Sequence, residues 1–125
     1  IEARVARHRA AGDAMAAGLR AMGLTLYGDQ SHRMFNVVGV EIPPGAPGEA
    51  VRTEMLDEFG IEIGTSFGPL AGRIWRIGTM GYTARKENVL ICLAALEAML
   101  LSAGFKLPAG QAVQAAMKVF DEAAS

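Results

Sequence analysis

Apolar residues recur along this chain in two rhythms, one helical and one alternating. In IEARVARHRAAGDAMAAGLRAMG, Val5, Gly12, Met15, Leu19 and Met22 fall along one stripe, which predicts a helix from near Glu2 to Met22. Gly23 stops it, because glycine suits the left-handed conformation that follows a helix. A short strand, Leu24 to Tyr27, and a turn at Gly28 and Asp29 come next. MFNVVGVEI, Met34 to Ile42, is rich in β-branched residues and long enough for a central strand. PPGAPG, Pro43 to Gly48, forbids regular structure and predicts a loop.

Helical spacing returns from Glu49 to Phe59, with Val51, Met55, Leu56 and Phe59 apolar and Gly60 as the stop. Ile61-Glu62-Ile63 alternates like a strand, Gly64 to Gly72 is a glycine-rich link, and Arg73 to Gly78 alternates again, so the two strands can pair antiparallel. Thr83 is a candidate cap for a long helix carrying Val89, Leu90, Leu93, Leu96 and Leu100, which ends at Gly104. Pro108 opens a last helix, Ala109 to about Ala123, with Val113, Ala116, Met117 and Phe120 facing inward. This order predicts an α+β fold: a small, mainly antiparallel sheet with helices packed on one side.

The length of 125 residues and the 51% of hydrophobic residues suit one domain spanning 1–125. Twelve basic residues against thirteen acidic ones leave no surplus to attract nucleic acid or an anionic membrane. No apolar run approaches the roughly 20 residues that cross a bilayer. Cys92 stands alone, which excludes an internal disulfide and a cysteine-rich zinc site and suits a reducing compartment. The chain enters its first helix with no capping residue and no initiating methionine, so a fragment, a processed chain or a truncated one is expected.

Arg76 stands out among the polar residues. In GRIWRIG a strand points Ile74 and Arg76 one way and Arg73, Trp75 and Ile77 the other, so an arginine shares a face with an isoleucine. An unpaired guanidinium is costly to bury, and so Arg76 must reach water, a protein carboxylate or an anionic ligand. Trp75 and the isoleucines suggest partial desolvation, which favours a bidentate grip on a carboxylate. Other candidates are blander. His8 lies between arginines on a surface helix, His32 lies in a turn without a partner, and neither has metal-ligand spacing. Cys92 reads as a small buried thiol, Gly64-Thr65-Ser66 as a structural turn before an anion loop, and the methionines as core filler. Glu62 and Glu87 have no partner that would make an acid and base pair.

GTSFGPLAGRIWRIGTMGYTARKENVLICLAALEAML, Gly64 to Leu100, resembles the C-terminal part of class V aminotransferases, which are fold-type I pyridoxal phosphate enzymes. The likeness centres on Arg76-Ile77-Gly78, then Gly81, then the helix start from Ala84 to Val89. FGPLAGRIWRIGTMGY most resembles the ureidoglycine-glyoxylate group of purine breakdown, and the resemblance extends more loosely across nearly the whole chain. It implies that Arg76 binds the α-carboxylate of both amino-acid and oxo-acid substrates. It also implies a C-terminal small domain whose N-terminal, cofactor-binding large domain is absent, and a homodimer. The chain closes with Ala-Ala-Ser and not with a peroxisomal ending, so a cytoplasmic location is the default expectation. Lys86, Lys106 and Lys118 match no family position for the cofactor's lysine, so this chain alone should not transaminate. Alternatives are an alanine- or serine-glyoxylate aminotransferase, a stand-alone small-ligand regulatory module of ferredoxin-like type, and an oligomerisation domain built on the Val89 to Leu101 face.

Overall fold

The first helix, α1 (Glu2–Ala21), ends by a mechanism that recurs once more among the described residues. Gly23 takes a φ of 94°, its N–H donates to the Arg20 carbonyl at 2.9 Å, and the Leu24 N–H reaches back to the Leu19 carbonyl at 3.1 Å. This pair of bonds satisfies carbonyls that the helix end would otherwise leave open, and it needs a residue without a Cβ at the left-handed position. The third helix, α3 (Lys86–Ser102), closes identically: Gly104 has a φ of 96°, its N–H meets the Leu101 carbonyl at 3.0 Å, and Phe105 N–H meets the Leu100 carbonyl at 3.1 Å.

The computed structural model describes residues 2–27, 37–59, 63–65, 73–78 and 86–124. Between α1 and α3 lie β1 (Val37–Glu41), α2 (Gly48–Phe59), β2 (Gly64–Thr65) and β3 (Ile74–Gly78), and α4 (Gln111–Ala124) follows α3. The strands form one sheet in the order β1-β3-β2, with β3 antiparallel to both neighbours. β1 and β2 are therefore parallel to each other and split by β3. Val38, Val40, Trp75 and Ile77 share one face of this sheet, and all are buried in a single core with Met15, Leu19, Met55, Leu93 and Leu96 of the helices. Trp75, fully buried, donates its indole N–H to the Gly48 carbonyl at 3.3 Å, which ties the middle of β3 to the first residue of α2. The expected α+β architecture, a small antiparallel sheet with helices on one side, is the one observed.

The strand expected at Leu24 to Tyr27 shrinks to a bridge between Leu26 and Val40, flanked by hydrogen bonds from Tyr27 N–H to the Gly39 carbonyl and from Glu41 N–H to the Thr25 carbonyl. Within the expected Met34 to Ile42 strand, β1 covers Val37–Glu41 and Ile42 follows it; residues 34–36 lie outside the described residues, as do Gly28, Asp29, Gly60, Ile61, Glu62 and Thr83. Ile63 precedes the second strand, which forms at Gly64–Thr65, within the expected link. Its backbone pairs there because Gly64 lies opposite Arg76 and Thr65 opposite Trp75.

Helix α4 starts at Gln111, two residues later than the spacing predicts. Gly110 takes a left-handed φ of 79°, outside helical geometry, and its N–H donates to the Glu97 carboxylate at 3.1 Å. The buried seam of α4 runs through Ala112 and Ala116, while Val113, Met117 and Phe120 are only half-buried. Small residues line this seam because α1 packs closely along it. Ala11, Gly12, Ala14, Ala16 and Gly18 of α1 are buried with Met15 and Leu19. Among the described residues no helix is long and apolar enough to cross a membrane.

Gly18 measures that close approach. A Cβ there would stand 2.4 Å from Leu93 Cδ1 and 3.1 Å from the Ala112 carbonyl oxygen. Leu93 is fully buried and the carbonyl is backbone, so neither yields cheaply. Overpacking of this kind costs about 1–3 kcal/mol, against a gain of roughly 1 kcal/mol from alanine's helix propensity. Gly18→Ala is expected to lower the thermal midpoint; a midpoint equal to or above the parent's would show that α1 and α4 separate without cost.

Candidate functional site

The face of the sheet away from the core is built by the same register that builds the core. Antiparallel pairing sets Gly39 and Gly64 opposite Arg76, one on each side, and the Leu26 bridge sets Tyr27 beside Gly39. One row across the sheet therefore reads Tyr27, Gly39, Arg76, Gly64. A cation stands between two residues without side chains. Arg76 is exposed, and its Nη2 lies 3.7 Å from where a Cβ on Gly64 would be. Along β3 on the same face lies Ile74, which is buried, and across from Ile74 lies Glu41, which is exposed.

The expectation that Trp75 and the isoleucines desolvate Arg76 needs correction within this chain. Trp75 and Ile77 alternate onto the core face, so only Ile74 shares the side of the arginine. A cleft of about 600 Å³ opens farther along the outer face, lined by Thr25, Tyr27, Glu41, Pro43, Arg73 and Ile74 among others. Arg76 does not line it. Tyr27 and Ile74 connect the two regions, since both contact the space above Gly39.

The remaining candidates lie elsewhere. Lys86 begins α3, Lys106 lies in the link between α3 and α4, and Lys118 is on α4; all three are exposed and none is on the sheet. Glu87 is exposed at the start of α3, while His32, Glu62 and Ser66 lie outside the described residues. His8 lies on α1. Gly64 and Thr65 are strand residues paired with β3, so they belong to the sheet and not to a turn. Of the methionines, Met15, Met22 and Met55 are fully buried, as filler should be.

No protein-family model matches the chain. Over 123 residues, 98% of its length, it is 58% identical to (S)-ureidoglycine–glyoxylate transaminase of Bacillus subtilis, of which it covers 30%. The crystal structure of ureidoglycine-glyoxylate aminotransferase from Bacillus subtilis superimposes with a TM-score of 0.90, covering 97% of this chain and 31% of that one at 58% identity. By sequence and by backbone, this chain is a homologue of class V aminotransferases. Pyridoxamine–pyruvate transaminase of Mesorhizobium japonicum is 34% identical over 96% of the chain and 31% of its own length. An alanine–glyoxylate aminotransferase from Nostoc matches with a TM-score of 0.71 at 38% identity, over 75% of this chain and 25% of that one. The chain thus spans about a third of the length of the aminotransferases it matches.

In this aminotransferase homologue the split arrangement β1-α2-β2-β3, which also suggests a ferredoxin-like module, occurs within an aminotransferase backbone and so does not separate the two. Gly39 and Tyr27 are not among the candidates suggested by the sequence, and Gly64 is suggested only as part of a turn or anion loop, not as the neighbour of Arg76. A signal existed for Gly39, a glycine interrupting the β-branched run NVVGVEI, but its place beside Arg76 follows only from the register.

Cys92 is fully buried on α3, and burial pushes its thiol up from 9.0 to about 12. With the folded value raised, its contribution to stability is intact below pH 9 and is lost as pH rises toward 12, because only the unfolded chain ionises in that window. The loss is roughly 1.4 kcal/mol for each pH unit above the unfolded value. The stability difference between the parent and Cys92→Ala should therefore shift against the parent by that slope in urea titrations above pH 9. A difference that stays constant with pH, or a native thiol that reacts readily with a disulfide reagent, would contradict the burial.

Proposed function

We propose that this chain is the C-terminal small domain of a pyridoxal phosphate aminotransferase that transfers an amino group from ureidoglycine to glyoxylate, and that Arg76 grips the substrate carboxylate. The observation that carries this is the 58% identity to the Bacillus subtilis ureidoglycine–glyoxylate enzyme over 98% of the chain. Identity to an alanine–glyoxylate aminotransferase of Callithrix jacchus is 36% over 75% of the chain, and to a serine–glyoxylate aminotransferase of Arabidopsis thaliana 28% over 93%, which makes those donors the second choice.

The geometry around Arg76 supports its role. The guanidinium is a planar fork that matches a carboxylate with two parallel hydrogen bonds, and β3 holds its base between two paired strands. Both substrates of such a reaction carry a carboxylate, so one fixed cation can orient donor and acceptor in turn. The described residues do not fit a site for pyridoxal phosphate itself: the three lysines are exposed and away from the sheet. In this proposal the cofactor, its lysine and the cover over Arg76 belong to an N-terminal large domain and, in a cytoplasmic homodimer, to residues near the subunit boundary.

Two outcomes test this. In the complete enzyme, Arg76→Ala is expected to lower kcat/KM for both donor and acceptor about a hundredfold or more, as loss of two charge-assisted hydrogen bonds requires. The absorbance of the bound cofactor should persist. Arg76→Lys, which keeps the charge and loses the fork, should fall between. Near-normal turnover by Arg76→Ala with either substrate would remove the assignment. The 125-residue chain alone, supplied with pyridoxal phosphate, ureidoglycine and glyoxylate, should form no glycine; turnover by it would place the cofactor's lysine within this domain.

A further inference from the structure

We infer that Gly64 is a positioning residue for Arg76: the absence of a side chain there lets the guanidinium lie over the edge of the sheet, where a carboxylate can meet it. This rests on the assignment of Arg76 to the substrate carboxylate. A backbone explanation for the glycine fails. The described glycines that need a left-handed φ are Gly23, Gly45, Gly104 and Gly110, and Gly64 is not among them. Glycine also weakens a strand, and in β2, only two residues long, half the strand is glycine. The space above it explains the choice. A Cβ on Gly64 would stand 3.7 Å from Arg76 Cβ and 3.7 Å from Nη2, in ordinary contact with both. A branched side chain extends a further bond of about 1.5 Å from that Cβ and competes with the guanidinium for the same volume.

Gly39, on the other side of Arg76, differs. The three atoms nearest to a Cβ there are Tyr27 Cβ at 3.6 Å, Ile74 Cγ2 at 3.9 Å and the Tyr27 carbonyl oxygen at 3.9 Å, with none from Arg76. The arginine leans toward β2, so the two glycines are not equivalent. A side chain at 64 moves the cation, and one at 39 meets Tyr27.

The test is a mutant cycle in the complete enzyme, reading kcat and KM for glyoxylate. Gly64→Val should raise KM about tenfold or more with a smaller change in kcat, a loss near 1.4 kcal/mol of binding. Its thermal midpoint should equal or exceed the parent's, because valine suits a strand better than glycine. Gly64→Ala and Gly39→Ala should stay within about twofold, since each added Cβ makes only ordinary contacts. With Arg76→Ala already present, Gly64→Val should add nothing. If Gly64→Val does not fold, Gly64→Ser carries the same cycle at about threefold. An unchanged KM in Gly64→Val beside a raised KM in Arg76→Ala overturns the positioning role and leaves the arginine assigned. A loss in Gly64→Val that persists undiminished without the arginine also overturns it, and an unchanged KM in Arg76→Ala overturns both.

Discussion

The register of β3 between β1 and β2 is the constraint on which the rest of the domain depends. Because side chains alternate along a strand, one choice of pairing sends Trp75 and Ile77 into the core and Arg76 out of it. A slip of one residue would reverse this, burying a guanidinium and exposing the indole that bonds to Gly48. The core therefore specifies the site. Val38 and Val40 on the neighbouring strand enforce the same choice, since their burial requires Gly39 to face outward beside the arginine.

Glycine serves three unlike purposes in this fold, and only one of them is conformational. Gly23 and Gly104 end helices by taking a φ that other residues resist. Gly18 has helical geometry and is there because α1 comes within contact of Leu93 and the Ala112 carbonyl. Gly39 and Gly64 sit in strands, where they place no side chain of their own on either side of Arg76. The first kind fixes where elements stop, the second how closely they pack, and the third what the finished sheet presents.

These purposes differ in how visible they are along the chain. Helix stops at Gly23 and Gly104 are legible because the signal and its consequence are neighbours: a glycine follows an apolar stripe and the stripe ends. Arg76 is legible for the same reason, as a charge within six residues that otherwise alternate as a strand, and its surroundings match a family pattern. Gly64 is not. Its partner lies twelve positions away, in a pairing that local periodicity does not encode, so the same letters read as a link. The start of α4 is not legible, because Gly110 is held by Glu97 of another helix, a contact that Pro108 nearby gives no hint of.

A cation exposed on a sheet is well placed and weakly binding, and this sets what the remainder of the protein has to supply. Two opposite charges 4 Å apart gain about 1 kcal/mol in water and about 4 kcal/mol at an effective dielectric constant near 20. Arg76 lies at the wet end of that range in this chain, since its isoleucine neighbour is the only apolar side chain beside it on β3. The sheet can fix direction, because the base of the arginine is held between two paired strands, but among the described residues the positions paired with it, Gly39 and Gly64, add no side chain to exclude solvent. Strong recognition of a carboxylate then requires a second surface closing over the row from Tyr27 to Gly64. If Arg76 grips a carboxylate as proposed, a side chain reaching over it from position 64 would compete for the space that carboxylate needs, which gives the strands a reason to carry glycine on both sides of it.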